Sequence, residues 1–210
     1  MRPQTRYAVA LTALAVAVIA SPASALVLSL DQLFSGPPTS APPPYARLDL
    51  NPIAGGMEFT LTNLTPGTLA GGSSKLDNVY FNYSGAQALV LQSAPSGANF
   101  GYSSNGFKAD GDGWYDILFA YTGGNFLASN ASVTFTIMGD TDPMNFIDLS
   151  VPGGGNGTYY VASHFQSVVP TGNSFWAGTN EVTQAVPEPA TMLLLGSGLV
   201  AAVVARRRKS

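Results

Sequence analysis

Two short runs constrain this chain most: MEFTLT at 57–62 and SVTFTI at 132–137, in which apolar residues alternate strictly with polar ones. Successive strand side chains point to opposite faces, so a period of two marks a strand with one face inward, whereas a helix would need a spacing of about 3.6 residues. Less regular runs of the same kind are Tyr45 to Leu50, Val79 to Tyr83, Ala88 to Gln92, Tyr115 to Tyr121, Phe146 to Leu149 and Tyr159 to Val169. Between them lie Gly55-Gly56, Pro66-Gly67, Gly71-Gly72, Gly123-Gly124 and GGGNG at 153–157, all residues that make turns. No long internal stretch has helical spacing. The pattern predicts an all-β fold, a single antiparallel β-sandwich of jelly-roll or immunoglobulin-like kind.

The run SGPPTSAPPP at 35–44 reads as a polyproline-type connector, too poor in N–H donors for a sheet interior. Residues 26–44 are therefore expected to be a leader and connector, 45–169 the sandwich and 170–185 a spacer. There is no cysteine, so disulfides and thiolate metal sites are excluded and packing must hold the fold.

Both ends of the chain carry targeting features. At the start, Arg2 and Arg6 precede an apolar stretch from Tyr7 to Ala20, and Ala23-Ser24-Ala25 is a small-residue cleavage site. Residues 1–25 thus read as a signal peptide, with signal peptidase cutting after Ala25. At the other end Val186-Pro187-Glu188-Pro189 leads into an uncharged apolar run, 190–205, followed by Arg206, Arg207, Arg208 and Lys209. As a helix that run would be roughly 24 Å long, short of the ~30 Å hydrocarbon core. It reads as a single transmembrane helix of marginal length. The basic cluster is expected to stop transfer on the cytoplasmic side, which leaves the bulk of the chain outside.

This C-terminal order resembles the PEP-CTERM sorting tail of Gram-negative envelope proteins. The resemblance implies that a membrane-embedded exosortase recognises Pro187-Glu188-Pro189 and processes the tail, the helix serving as a handle in the inner membrane during export. The final location it implies is the cell envelope, the surface or the extracellular matrix. Ala162, His164 and Gln166, in YYVASHFQSVV, also resemble the last-strand region of ectodomains in this group; that likeness bears on family and fold, not on mechanism.

Between Leu26 and Val186 three basic residues (Arg47, Lys75, Lys108) face eleven acidic ones, a formal balance of −8. Such a body is not drawn to nucleic acid or anionic lipid, and suits cations or neutral polysaccharide. A catalytic triad needs a base, and His164 is the only histidine. In its strand it shares a face with Tyr160, Ala162 and Gln166, as an exposed or edge residue would.

The densest acidic segment, DGDGWYD, places Asp110, Asp112 and Asp116 among glycines. Calcium would suit such a loop, but the EF-hand spacing fails, with Tyr115 and Tyr121 where glycine and glutamate belong. Ordinary Asp/Gly turn formation is the competing reading. No other cofactor is called for. Trp114 and Trp176 are candidates for stacking on sugar rings, with core packing as the alternative. Four Asn-x-Ser/Thr sequons begin at Asn63, Asn82, Asn130 and Asn156, and chance accounts for them in a chain with a tail of bacterial type.

The sequence favours a non-enzymatic exported envelope protein, structural or adhesive in extracellular polysaccharide or biofilm matrix. A carbohydrate-binding module is the second reading. A secreted glycoside hydrolase using carboxylates such as Asp110 and Asp112 is the third.

Overall fold

The computed structural model describes residues 25–67, 74–168 and 172–184. The signal peptide and the sorting tail, including its expected helix, lie outside these residues. The strands are β1 (Leu26–Leu30), β2 (Gln32–Ser35), β3 (Ala46–Ile53), β4 (Gly56–Asn63), β5 (Lys75–Phe81), β6 (Val90–Ser93), β7 (Ala98–Lys108) and β8 (Gly113–Tyr121). They continue with β9 (Leu127–Ala128), β10 (Ser132–Met138), β11 (Val151–Pro152), β12 (Val161–Val168), β13 (Asn173–Thr179) and β14 (Thr183–Gln184).

All pairings are antiparallel and form two sheets. The first has the order β14-β1-β3-β4-β10-β6 and the second β11-β8-β5-β12-β13-β2, with β7 on β8 and β9 on β5. β7 lies on the far side of β8, because Ile117 to Ala120 pair with both β5 and β7.

The alternation read from the sequence decides which face of each strand is buried, and the pairing of β4 with β10 matches like faces. Phe59 and Phe135 are direct partners, as are Thr60 and Thr134. The phenylalanines are fully buried and stacked at 5.0 Å, while the threonine hydroxyls meet at 3.3 Å on the outer face. Phe119 and Phe81 of the second sheet complete the contact from the opposite side, with ring centroids 4.4 Å from Phe135 and 5.1 Å from Phe59. One aromatic core thus joins the two sheets, and burying each ring is worth about 1.5–3 kcal/mol.

Three sequence expectations change. The expected leader supplies β1 and β2, and the expected spacer supplies β13 and β14. The sheet body therefore begins at Leu26, not Tyr45. Leu26, Leu28 and Leu30 are all buried and alternate with Val27 and Ser29, which a polyproline stretch further on does not prevent. In place of the expected strand from Phe146 to Leu149 there is a 3-10 turn, Pro143–Phe146, followed by irregular chain. Asp142 caps it by accepting from the Met144 N–H at 2.9 Å, and Pro143 has the φ that a helical start requires.

The two ends of the body run as one ribbon. Leu26 pairs with Gln184 and Gln32 with Gly178, six residues on along each strand, so the register of β1–β14 is that of β2–β13. The ribbon bends between these pairs and passes from the first sheet to the second. N- and C-terminal strands thereby complete both layers.

Candidate functional site

The outer face of the second sheet carries the candidate site. Ser35, Trp176, His164, Asn78, Ala120 and Asn99 are successive cross-strand partners over β2, β13, β12, β5, β8 and β7. Neighbours in this file stand about 4.8 Å apart, the strand spacing. They face outward because the adjacent residues Phe165, Phe175, Ala177 and Val79 are buried in the core.

Trp176 is half-buried among rings: His164 at 4.8 Å, Tyr80 at 5.6 Å and Phe34 at 6.4 Å. Below them a second, smaller cluster packs on this face, formed by Tyr80, Ala109, Tyr115 and Ala162. Gly178 leaves room for it, since a Cβ there would stand 2.9 Å from the Tyr159 ring, which in turn stacks on Phe34.

His164 is held rather than free. The register shifts between His164 and Phe165, so that Asp77 is an extra residue on β5. Bulges re-aim side chains. Here Asp77 Oδ2 meets His164 Nδ1 at 3.1 Å and accepts from Gln166 Nε2, while Asn78 Oδ1 accepts from the His164 N–H at 3.2 Å.

Two concavities open on this face. One, about 700 Å3, is lined by Asn78, Tyr80, His164, Trp176 and the segment Lys108 to Gly111. The other, about 390 Å3, is lined by Lys75, Asp77, Asn78, His164, Gln166 and the segment Tyr121 to Phe126.

The remaining sequence candidates do not converge. Trp114 is 38% exposed but lines neither concavity; Lys108 Nζ lies 5.4 Å above its ring. Asp110 accepts from the Ser35 hydroxyl at 2.7 Å. Asp116 on β8 accepts from the backbone N–H groups of Tyr83 (3.1 Å), just beyond β5, and Asn105 (2.6 Å) on β7, so it ties β8 to both neighbours. Asp112 is fully buried; one oxygen accepts from the Tyr115 hydroxyl and Oδ1 has no hydrogen-bond partner. Burial pushes the Asp112 carboxyl above its ordinary pKa, against the hydrogen bonds from Tyr115 and local N–H groups. Burial, followed by the charge of Asp112, raises the Tyr80 and Tyr159 phenols.

The three aspartates of DGDGWYD thus point to different partners. Among the described residues no three His, Cys, Asp or Glu side chains form a metal-ligating group. A hydrolase using Asp110 with Asp112 would need both in a cleft, and Asp112 is sealed from solvent.

Two sequon asparagines are also structural. Asn63 donates to Leu127 O at 2.9 Å and accepts from Thr65, and Asn82 accepts from the Asp116 N–H at 2.9 Å. Asp77, Asn78, Tyr80 and Lys108 escaped the sequence reading. A period-two count along LDNVYF would have put Asn78 and Tyr80 opposite Val79 and Phe81; the bulge that turns Asp77 has no such mark.

Beyond Gln184 the chain continues directly into its C-terminal segment, and the family model of the PEP-CTERM protein-sorting motif matches residues 185–209. The chain carries a PEP-CTERM sorting tail. The match includes Val186 to Pro189 and the basic cluster Arg206 to Lys209. As a PEP-CTERM domain-containing protein it is exported and sorted by exosortase, a membrane enzyme. No curated protein and no solved structure matches the chain. Among the described residues no helix is long and apolar enough to cross a membrane.

Proposed function

We propose that this PEP-CTERM protein is a non-enzymatic adhesive or structural component of extracellular polysaccharide or biofilm matrix, and that its β-body binds glycan through the outer face of the second sheet. Trp176 carries the reading: it is half-buried and lines a concavity together with Tyr80, His164 and Asn78. A flat ring edged by hydrogen-bonding groups is what a hydroxyl-rich sugar with an apolar C–H face fits.

Binding is favoured over hydrolysis because the carboxylates here are already engaged, Asp77 by His164 and Gln166, and Asp110 by Ser35. The sorting tail and the acidic body both support residence at the cell surface or in the matrix of a Gram-negative envelope. The test is retention. In a host with exosortase, the wild-type chain should stay with washed extracellular polysaccharide while Trp176→Ala is released; equal release of the two would sink the proposal.

A further inference from the structure

The two concavities meet at Asn78 and His164, which line both. Resting on the polysaccharide-binding reading above, we propose that they form one trough for a single neutral, linear polysaccharide chain, laid along β5 and β12 with Asn78 and His164 under its middle.

Length favours a chain over a single sugar. Tyr80 lines one half and Lys75 the other, five residues apart on β5, a span of about 17 Å and room for about three or four linked pyranose rings. The halves offer different chemistry. One has the rings of Trp176 and Tyr80 for stacking, the other the amides of Gln166 and Asn125 for hydroxyl groups.

Charge selects a neutral ligand. Each half holds one lysine and one aspartate, Lys108 with Asp110 and Lys75 with Asp77. Both lysines are drawn over rings, Lys75 Nζ lying 4.5 Å from the centroid of Phe126 and Lys108 Nζ 5.4 Å from that of Trp114. No excess of either sign therefore faces the trough, and the acidic body around it repels polyanions.

The full-length chain, purified in detergent, is titrated with cello-, laminari- and manno-oligosaccharide ladders from disaccharide to hexasaccharide. For the ladder that binds, affinity should climb on the order of tenfold between disaccharide and tetrasaccharide and then level, with one equivalent bound; tenfold corresponds to about 1.4 kcal/mol. Gln166→Ala should weaken the tetrasaccharide and spare the disaccharide, whereas Trp176→Phe weakens both.

Affinity independent of length, two equivalents bound, or a tetrasaccharide indifferent to Gln166→Ala overturns the single trough. Tighter binding of an oligogalacturonate ladder overturns the neutral class. Failure of every ladder to bind overturns the glycan reading itself, and this inference with it. The wild-type length dependence stands as a test even where a Trp176 variant folds poorly.

Discussion

Leu26 and Gln184 are direct partners in an antiparallel pair, so the first and last paired residues of the body lie side by side. The next rung joins Val27 to Thr183. The chain has no cysteine of its own. Val27→Cys with Thr183→Cys should therefore form one disulfide under oxidising conditions and add about 2–4 kcal/mol by closing nearly the whole body into a loop. Non-reducing electrophoresis and a thermal melt with and without reductant check this. A double variant that stays reduced would mean that the ends do not meet.

Phe59 stands where both sheets touch, against Phe81, Phe135 and Phe146. Phe59→Ala should cost about 3–5 kcal/mol, because it removes a fully buried ring and leaves a cavity that stiff sheets cannot close. Denaturant unfolding would show it as a lower midpoint with an unchanged slope.

Asp112 and Asp140 should give opposite pH dependences. Burial raises the Asp112 pKa in the fold, so its contribution is fully present below the unfolded pKa and is lost as pH rises through the folded one. Asp112→Asn should thus be more stable than wild type at neutral pH and lose that advantage near pH ~3. Burial also acts to raise Asp140, but hydrogen bonds from the Asp142 N–H, Tyr83 and Asn145 outweigh it and hold the carboxyl below its usual range. Its stabilisation is present above the unfolded pKa and is lost as pH falls through the folded one. Asp140→Asn should cost about 1.5–3 kcal/mol at neutral pH, with the deficit shrinking in acid. Stability measured across the acid range decides both, and parallel curves for the two variants would contradict the assignment.

Glu188 lies within the sorting motif, only four residues beyond β14. Glu188→Ala should block processing and leave membrane insertion intact, because the apolar run 190–205 is untouched. The mass of the mature C-terminus in a host with exosortase is the readout. Loss of the segment beyond Pro189 in both forms would show that this carboxylate is not recognised.

The sequence by itself determined the all-β class, the inward faces of two central strands and the sorting signal. Alternation at 57–62 and 132–137 is local information, and a strand with one apolar face has only one way to turn it inward. The sorting tail was legible because its order of residues is read by an enzyme as a linear segment. What only the tertiary structure decided was the closure of the body and the composition of the site. β7, ANFGYSSNGFK, alternates only from Ala98 to Tyr102 and loses its period over Ser103 to Gly106, so it runs as one strand because β8 offers it an edge. His164 reads as a surface residue until a bulge in β5, more than eighty positions away in sequence, turns Asp77 toward it. Trp176 lies on the outer face rather than in the core because its neighbours Phe175 and Ala177 point inward, and β12 and β5 set His164 and Asn78 beside it. Residues far apart in the chain acquire a common face only when sheet register fixes which of them are neighbours, and register is a property of the paired strands, not of any one of them.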